Sequence, residues 1–101
     1  MEKLKEFIKK EVLNNIESKQ AHMTYYEEEF AEMDFDDYFA SFGWYSTFDL
    51  TEYDNELVYD LIKQELKNSD YVEFDEKLNN FKIYNKESKI NEKNQNVGIA
   101  R

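Results

Sequence analysis

Twelve carboxylates fall between Gln20 and Ile62 with no lysine or arginine among them: Glu27, Glu28, Glu29, Glu32, Asp34, Asp36, Asp37, Asp49, Glu52, Asp54, Glu56 and Asp60. Carboxylates at this density serve cation coordination, acid–base catalysis, or attraction of a cationic partner. A calcium loop needs acids or amides at alternate positions and a glycine at the sixth. Asp34, Asp36 and Asp37 begin such a pattern, but Tyr38 and Phe39 stand where it must continue, so no metal site is expected. Glycoside hydrolysis needs two carboxyl groups flanking a bond held in a shaped cleft. A chain of 101 residues with two glycines, one histidine (His22), no cysteine and no glycine-rich phosphate loop has little from which to build one. Neither catalysis nor a cofactor is expected.

Attraction of a cation remains. Residues 1–19 hold four acids and five lysines, and residues 63–101 hold seven acids and eight bases, so the net charge of −10 arises in the middle segment. Glu28 with Glu32, Glu52 with Glu56, and Glu56 with Asp60 stand at i,i+4, where like charges weaken a helix by ~0.2–0.5 kcal/mol per pair. Interspersed lysines would relieve the repulsion, and both flanks use them. Their absence points to a surface kept negative for a partner. Such a field repels nucleic acid and anionic membrane and draws in basic proteins.

The same segment holds twelve of the seventeen aromatic residues. Disordered acidic tails are poor in rings, so this stretch is expected to fold. Phe30, Phe35, Phe39, Phe42 and Trp44 are expected in the core. Tyrosine has an apolar ring and a polar tip suited to interfaces, and Tyr38, Tyr45 and Tyr53 join the twelve acids as candidate partner-binding residues. Acids and tyrosines together accept Arg and Lys through charge-assisted hydrogen bonds and cation–π contacts. Duplex DNA carries about one negative charge per ~1.7 Å of axis. Carboxylates a few ångströms apart approach that density, so a folded acidic surface can occupy a groove built for nucleic acid.

The elements that must position these residues read as α+β, about three amphipathic helices followed by a C-terminal β-hairpin. Leu4, Phe7, Ile8, Val12 and Ile16 mark a helix over residues 2–19. Thr24 with Glu27 fits a capping box for a second helix over 25–33. Asp34 can cap again ahead of Phe35, Tyr38, Phe39 and Phe42, with Gly43 as the stop, so residues 24–42 read either as one bent helix or as two short ones. Thr51 or Asp54 caps a third helix carrying the stripe Leu57, Val58, Leu61, Ile62 and Leu66. Tyr71–Asp75 and Phe81–Tyr84 alternate as two strands of a hairpin. Residues 1–85 are expected as one compact domain and 86–101 as a disordered polar tail. No apolar run is long enough for a bilayer, and the charged start Met1-Glu2-Lys3-Leu4-Lys5-Glu6 is no secretory signal. A cytoplasmic address follows by default.

The third helix and hairpin resemble the second half of a winged-helix domain, a family that reads DNA with a basic recognition helix. Here that helix carries Glu56, Asp60 and Glu65 against Lys63 and Lys67, which argues against DNA contact. By charge and aromatic profile over residues 20–62, the chain resembles small acidic phage-encoded inhibitors of host defence, of the anti-CRISPR and DNA-mimic type. That resemblance implies a basic nucleic-acid-binding target, such as a CRISPR effector nuclease, in the host cytoplasm. The alternative is a regulatory module, antitoxin or adaptor, that grips a protein through its tyrosines.

Overall fold

The computed structural model describes residues 1–86. They form α1 (Glu2–Tyr25), β1 (Phe30–Asp34), α2 (Phe35–Ser41), a 3₁₀ turn (Leu50–Glu52), α3 (Asn55–Asn68), β2 (Val72–Asp75) and β3 (Asn80–Tyr84). The strands make one antiparallel sheet in the order β1-β3-β2. The architecture is therefore α+β, with three helices. The polar tail lies outside the described residues, Lys86 excepted.

α1 is longer than its first apolar repeat implies. Leu4, Ile8, Val12, Ile16, Gln20 and Met23 are buried along one stripe, and each sits three or four residues from the next, as one helical face requires. Gln20 extends the stripe as a polar residue because its amide donates to the Tyr84 carbonyl at 3.0 Å.

The helix expected over 25–33 does not form. α1 runs through Tyr25 and closes with a Schellman pair, Glu28 N–H to the Met23 carbonyl at 2.8 Å and Glu27 N–H to that of Thr24 at 3.2 Å. Glu27 takes the left-handed position, φ 56°, that glycine usually fills. Thr24 caps nothing; its hydroxyl meets the Asn85 amide at 3.5 Å. Phe30–Asp34 is then a strand paired with β3, Ala31 opposite Ile83 and Met33 opposite Phe81. Ala31 and Met33 face inward while Phe30, Glu32 and Asp34 face out. A large ring outside and a small alanine inside disguise this period of two.

Asp34 caps α2, accepting from Asp37 N–H at 3.1 Å, and Gly43 follows the helix at φ +73°. A Cβ at Gly43 would lie 3.3 Å from Leu50 Cδ1 and 3.4 Å from Phe7 Cζ, so the close approach also favours glycine. Asp54, not Thr51, caps α3, accepting from Leu57 N–H at 3.1 Å. Val58, Ile62 and Leu66 bury the stripe of that helix.

In the hairpin turn the Asp75 carboxylate accepts from Lys77 and Leu78 N–H at 3.0 and 3.2 Å. Asn79 adopts φ 54° and its carbonyl receives Phe35 N–H at 3.0 Å. This last bond ties the turn to the start of α2.

Phe35 is the centre of the core. It is fully buried, with ring centroids of Tyr59, Phe74 and Phe81 at 4.9, 5.5 and 6.4 Å, all edge to face. Burial of such a ring is worth about 1.5–3 kcal/mol. Phe42 is also buried and Phe39 is half-buried, but two expected core residues are not: Trp44 is 73% exposed and Phe30 43% exposed. Trp44 follows Gly43 in the long α2–α3 connection, outside any helix or strand. Phe30 points off the sheet's outer face.

Candidate acidic interface

All twelve carboxylates of the middle segment are exposed. Glu27, Glu28 and Glu29 occupy the α1–β1 turn, and Glu32 and Asp34 the outer face of β1. Asp36 and Asp37 open α2, Asp49 caps the 3₁₀ turn and Glu52 ends it, Asp54 precedes α3, and Glu56 and Asp60 lie in its first half.

Local geometry divides them into two sets. Asp34 and Asp54 are helix caps, and Asp49 accepts from both Thr51 N–H at 3.0 Å and the Thr51 hydroxyl at 2.5 Å. Those bonds to the ionised form hold the Asp49 carboxyl below its usual range. Asp36 accepts from the Tyr59 hydroxyl at 3.0 Å and from the Asn79 amide at 3.1 Å. One side chain thus joins α2, α3 and the hairpin turn. Glu32 accepts from the Asn80 amide at 3.0 Å. The remaining seven, Glu27, Glu28, Glu29, Asp37, Glu52, Glu56 and Asp60, have no side-chain partner among the described residues.

Among the described residues no lysine comes within ion-pair distance of any of the twelve acids. Among the described residues both ion pairs fall on Glu76, from Lys63 Nζ at 3.8 Å and from Lys67 Nζ. Lys63 also lies 5.1–5.4 Å from the ring centroids of Phe35, Tyr59 and Phe74, a site that satisfies its charge away from the acids.

The three candidate tyrosines part company. Tyr45 is 100% exposed, beside exposed Trp44. Tyr38 is half-buried and its hydroxyl donates to Asn15 Oδ1 at 2.6 Å, tying α2 to α1. Burial, with Glu11 nearby, pushes its phenol well above the ordinary value. Tyr53 is half-buried, its ring stacked on Phe48 at 6.0 Å. Tyr38 and Tyr53 are therefore joints of the fold, and only Tyr45 is free to meet a partner.

Two acids outside the segment share the outer face of the sheet. Glu73 and Asp75 stand on β2, with Glu73 and Glu32 both opposite Lys82 of the central strand. Lys82 Nζ lies 4.8 Å from the Phe30 ring centroid. The alternation Val72-Glu73-Phe74-Asp75 already puts these acids on one face. They lie beyond residue 62 in the chain and join the acids of β1 only through the sheet.

Among the described residues no group of three or more His, Asp or Glu side chains is placed to hold a metal ion, and no helix is long and apolar enough to cross a membrane. His22 is an exposed residue of α1, its ring 4.6 Å from that of Tyr26. Protein-family models, curated proteins and solved structures contain no match to this chain.

Proposed function

We propose that the protein binds a basic, nucleic-acid-handling protein, such as a CRISPR effector nuclease, and blocks its cationic groove by presenting carboxylates in place of phosphates. The observation that carries this reading is the set of seven exposed carboxylates that have no side-chain partner among the described residues of a folded scaffold. Groups that neither cap a helix nor join two elements are available to a partner's Arg and Lys. The element order, a helix, a strand, two helices and a hairpin, with β1 beside β3, supports a winged-helix-like arrangement. In it α3 would hold the place of the recognition helix with Glu56 and Asp60 exposed, the wrong sign for DNA and the right one for a DNA-binding protein.

The test is competition between this protein and DNA for such a nuclease. Lys substitutions at Asp37, Glu56 and Asp60 should weaken binding far more than Lys substitutions at Glu6 and Glu17, exposed acids of α1. Equal losses would end the proposal. Asp34 and Asp36 are poor probes because reversing them also breaks a cap and a three-way junction.

A second reading, a regulatory adaptor or antitoxin led by aromatic contacts, is favoured by the exposed pair Trp44 and Tyr45. Salt separates the two. Affinity that falls steeply between roughly 50 and 200 mM salt supports groove mimicry, and affinity that barely moves supports the aromatic mode.

A further inference from the structure

Among the described residues β1 is an edge strand, with β3 as its one neighbour in the sheet. The phase of its hydrogen bonding is fixed at both ends. Asn85 N–H donates to the Glu29 carbonyl at 2.8 Å, and Phe35 N–H donates to the Asn79 carbonyl at 3.0 Å. In an antiparallel ladder alternate residues bond the same neighbour. Residues 29, 31, 33 and 35 therefore turn their backbone groups to β3. The N–H and C=O of Phe30 and Glu32, and the N–H of Asp34, point to the open side. Exposed edges are usually blunted with charged side chains, lysine above all, or with proline or a bulge; the charges on this edge are the acids Glu32 and Asp34, which turn away acidic strands but not basic ones. Phe30-Ala31-Glu32-Met33-Asp34 has neither lysine nor proline, and its register with β3 is unbroken.

We propose that this edge takes an added strand from a basic partner. The proposal rests on the acidic-surface reading above and names how that surface engages. On the outer face the new strand's side chains would stand beside Phe30, Glu32 and Asp34, two carboxylates and a ring, which suit Lys or Arg. On the inner face they would stand beside Ala31 and Met33. There a groove of about 330 Å³, lined by Asn15, Ser18, Lys19, His22, Met33 and Tyr38, opens between α1 and the sheet. Lys19 makes that side unwelcoming to cations and suited to small neutral side chains. The partner segment is therefore one in which basic residues alternate with small neutral ones, main-chain bonds giving affinity and alternate positions giving specificity. A second copy of this chain fits poorly. Antiparallel pairing about the strand's midpoint would set Glu32 opposite Glu32, and like charges directly opposite destabilise a ladder.

The probe is the capped hexapeptide Lys-Val-Lys-Val-Lys-Val, with two versions N-methylated on the lysine amides or on the valine amides. Both keep charge and side chains, and each blocks one edge of the strand. Added to the full chain, the unmethylated peptide should slow amide exchange at Phe30, Glu32 and Asp34 while leaving Ala31 and Met33 nearly unchanged. One methylated version should bind at least tenfold more weakly and the other within about threefold. Glu32→Pro removes an N–H that the ladder does not use, so it should abolish binding where Glu32→Gln weakens it only a few-fold. If the proline variant fails to fold, the methylated pair decides alone. Equal, salt-sensitive binding of all three peptides overturns the edge proposal while leaving the acidic-surface reading intact. No binding of the unmethylated peptide overturns it too, as does a dimer of the chain that Glu32→Pro dissolves.

Discussion

Glu27 stands where folding least favours it. It occupies a left-handed backbone position at φ 56°, immediately past the end of α1. Two unfavourable effects meet there, and they separate by substitution. The left-handed conformation costs a residue with a Cβ about 1–2 kcal/mol, and glycine escapes this while adding ~0.5–1 kcal/mol of unfolded-chain freedom. The net gain from the backbone is then ~1 kcal/mol. Independently, a negative charge at the carboxyl end of a helix opposes the helix dipole by ~0.3–1 kcal/mol, an effect that salt screens. Glu27→Gln should therefore stabilise by ~0.3–1 kcal/mol at low salt, and less at high salt. Glu27→Gly should stabilise by ~1–2 kcal/mol, most of it surviving salt. For a domain of this size that is a rise in Tm of ~5–10 °C. Urea and thermal unfolding of the three proteins at two ionic strengths are the assay. If Glu27→Gly gains no more than Glu27→Gln, the left-handed position carries no strain and this account of the turn is wrong.

Other consequences follow from single groups. Asp54→Ala should lose about 1 kcal/mol, the usual worth of a helix N-cap, while Asp54→Asn should be nearly neutral in the same melts. Tyr38 has its phenol raised above the ordinary 10.0, so the folded state holds a proton that the unfolded chain gives up. Stability should fall as pH climbs past ~10, and Tyr38→Phe should flatten that alkaline limb in pH-dependent urea unfolding. At the acid end Asp49 acts the opposite way. Its lowered value favours folding above the ordinary carboxylate pKa, and that contribution disappears as pH falls through the folded value.

The parts of this fold that were legible in the sequence are those whose cause is local. α3 was readable because Asp54 precedes a stripe at Leu57, Val58, Leu61, Ile62 and Leu66, and cap and stripe act within a few residues of each other. The hairpin was readable because Val72–Asp75 and Phe81–Tyr84 alternate and their turn is short. β1 was not, since its identity depends on a partner far along the chain, Phe30 pairing with Tyr84. Its own residues fit a helix as well as a strand once Phe30 is taken for a core ring. Trp44 misled for a related reason: ring size suggests burial, but a residue after a left-handed glycine in a long connection is placed by the backbone. The acidic segment was legible as charge but not as roles. Only the hydrogen bonds reveal that Glu32, Asp34, Asp36, Asp49 and Asp54 help to build the scaffold.

That division sharpens the case for a partner. Hydrogen bonding accounts for five of the twelve carboxylates, the helix dipole favours two more, Asp37 and Glu56 in the first turns of α2 and α3, and at two places folding opposes a charge. Glu27 is one. The other is Glu56 with Asp60, a like-charged i,i+4 pair on the exposed side of α3. Asp60→Gln removes the repulsion and replaces a poor helix former with a good one, so it should stabilise by about 0.5 kcal/mol. Glu27 and Asp60 lie on different elements with no shared hydrogen-bond partner, so the double variant should gain roughly the sum, ~1.5–2.5 kcal/mol. If these acids are kept for a cationic partner, the same variant must bind that partner more weakly while it unfolds at a higher temperature, the usual exchange between stability and function. A double variant that is more stable and binds a basic target as well as the parent would leave the unpartnered acids without a role. A variant that is less stable would mean that contacts outside the hydrogen-bond pattern already satisfy them.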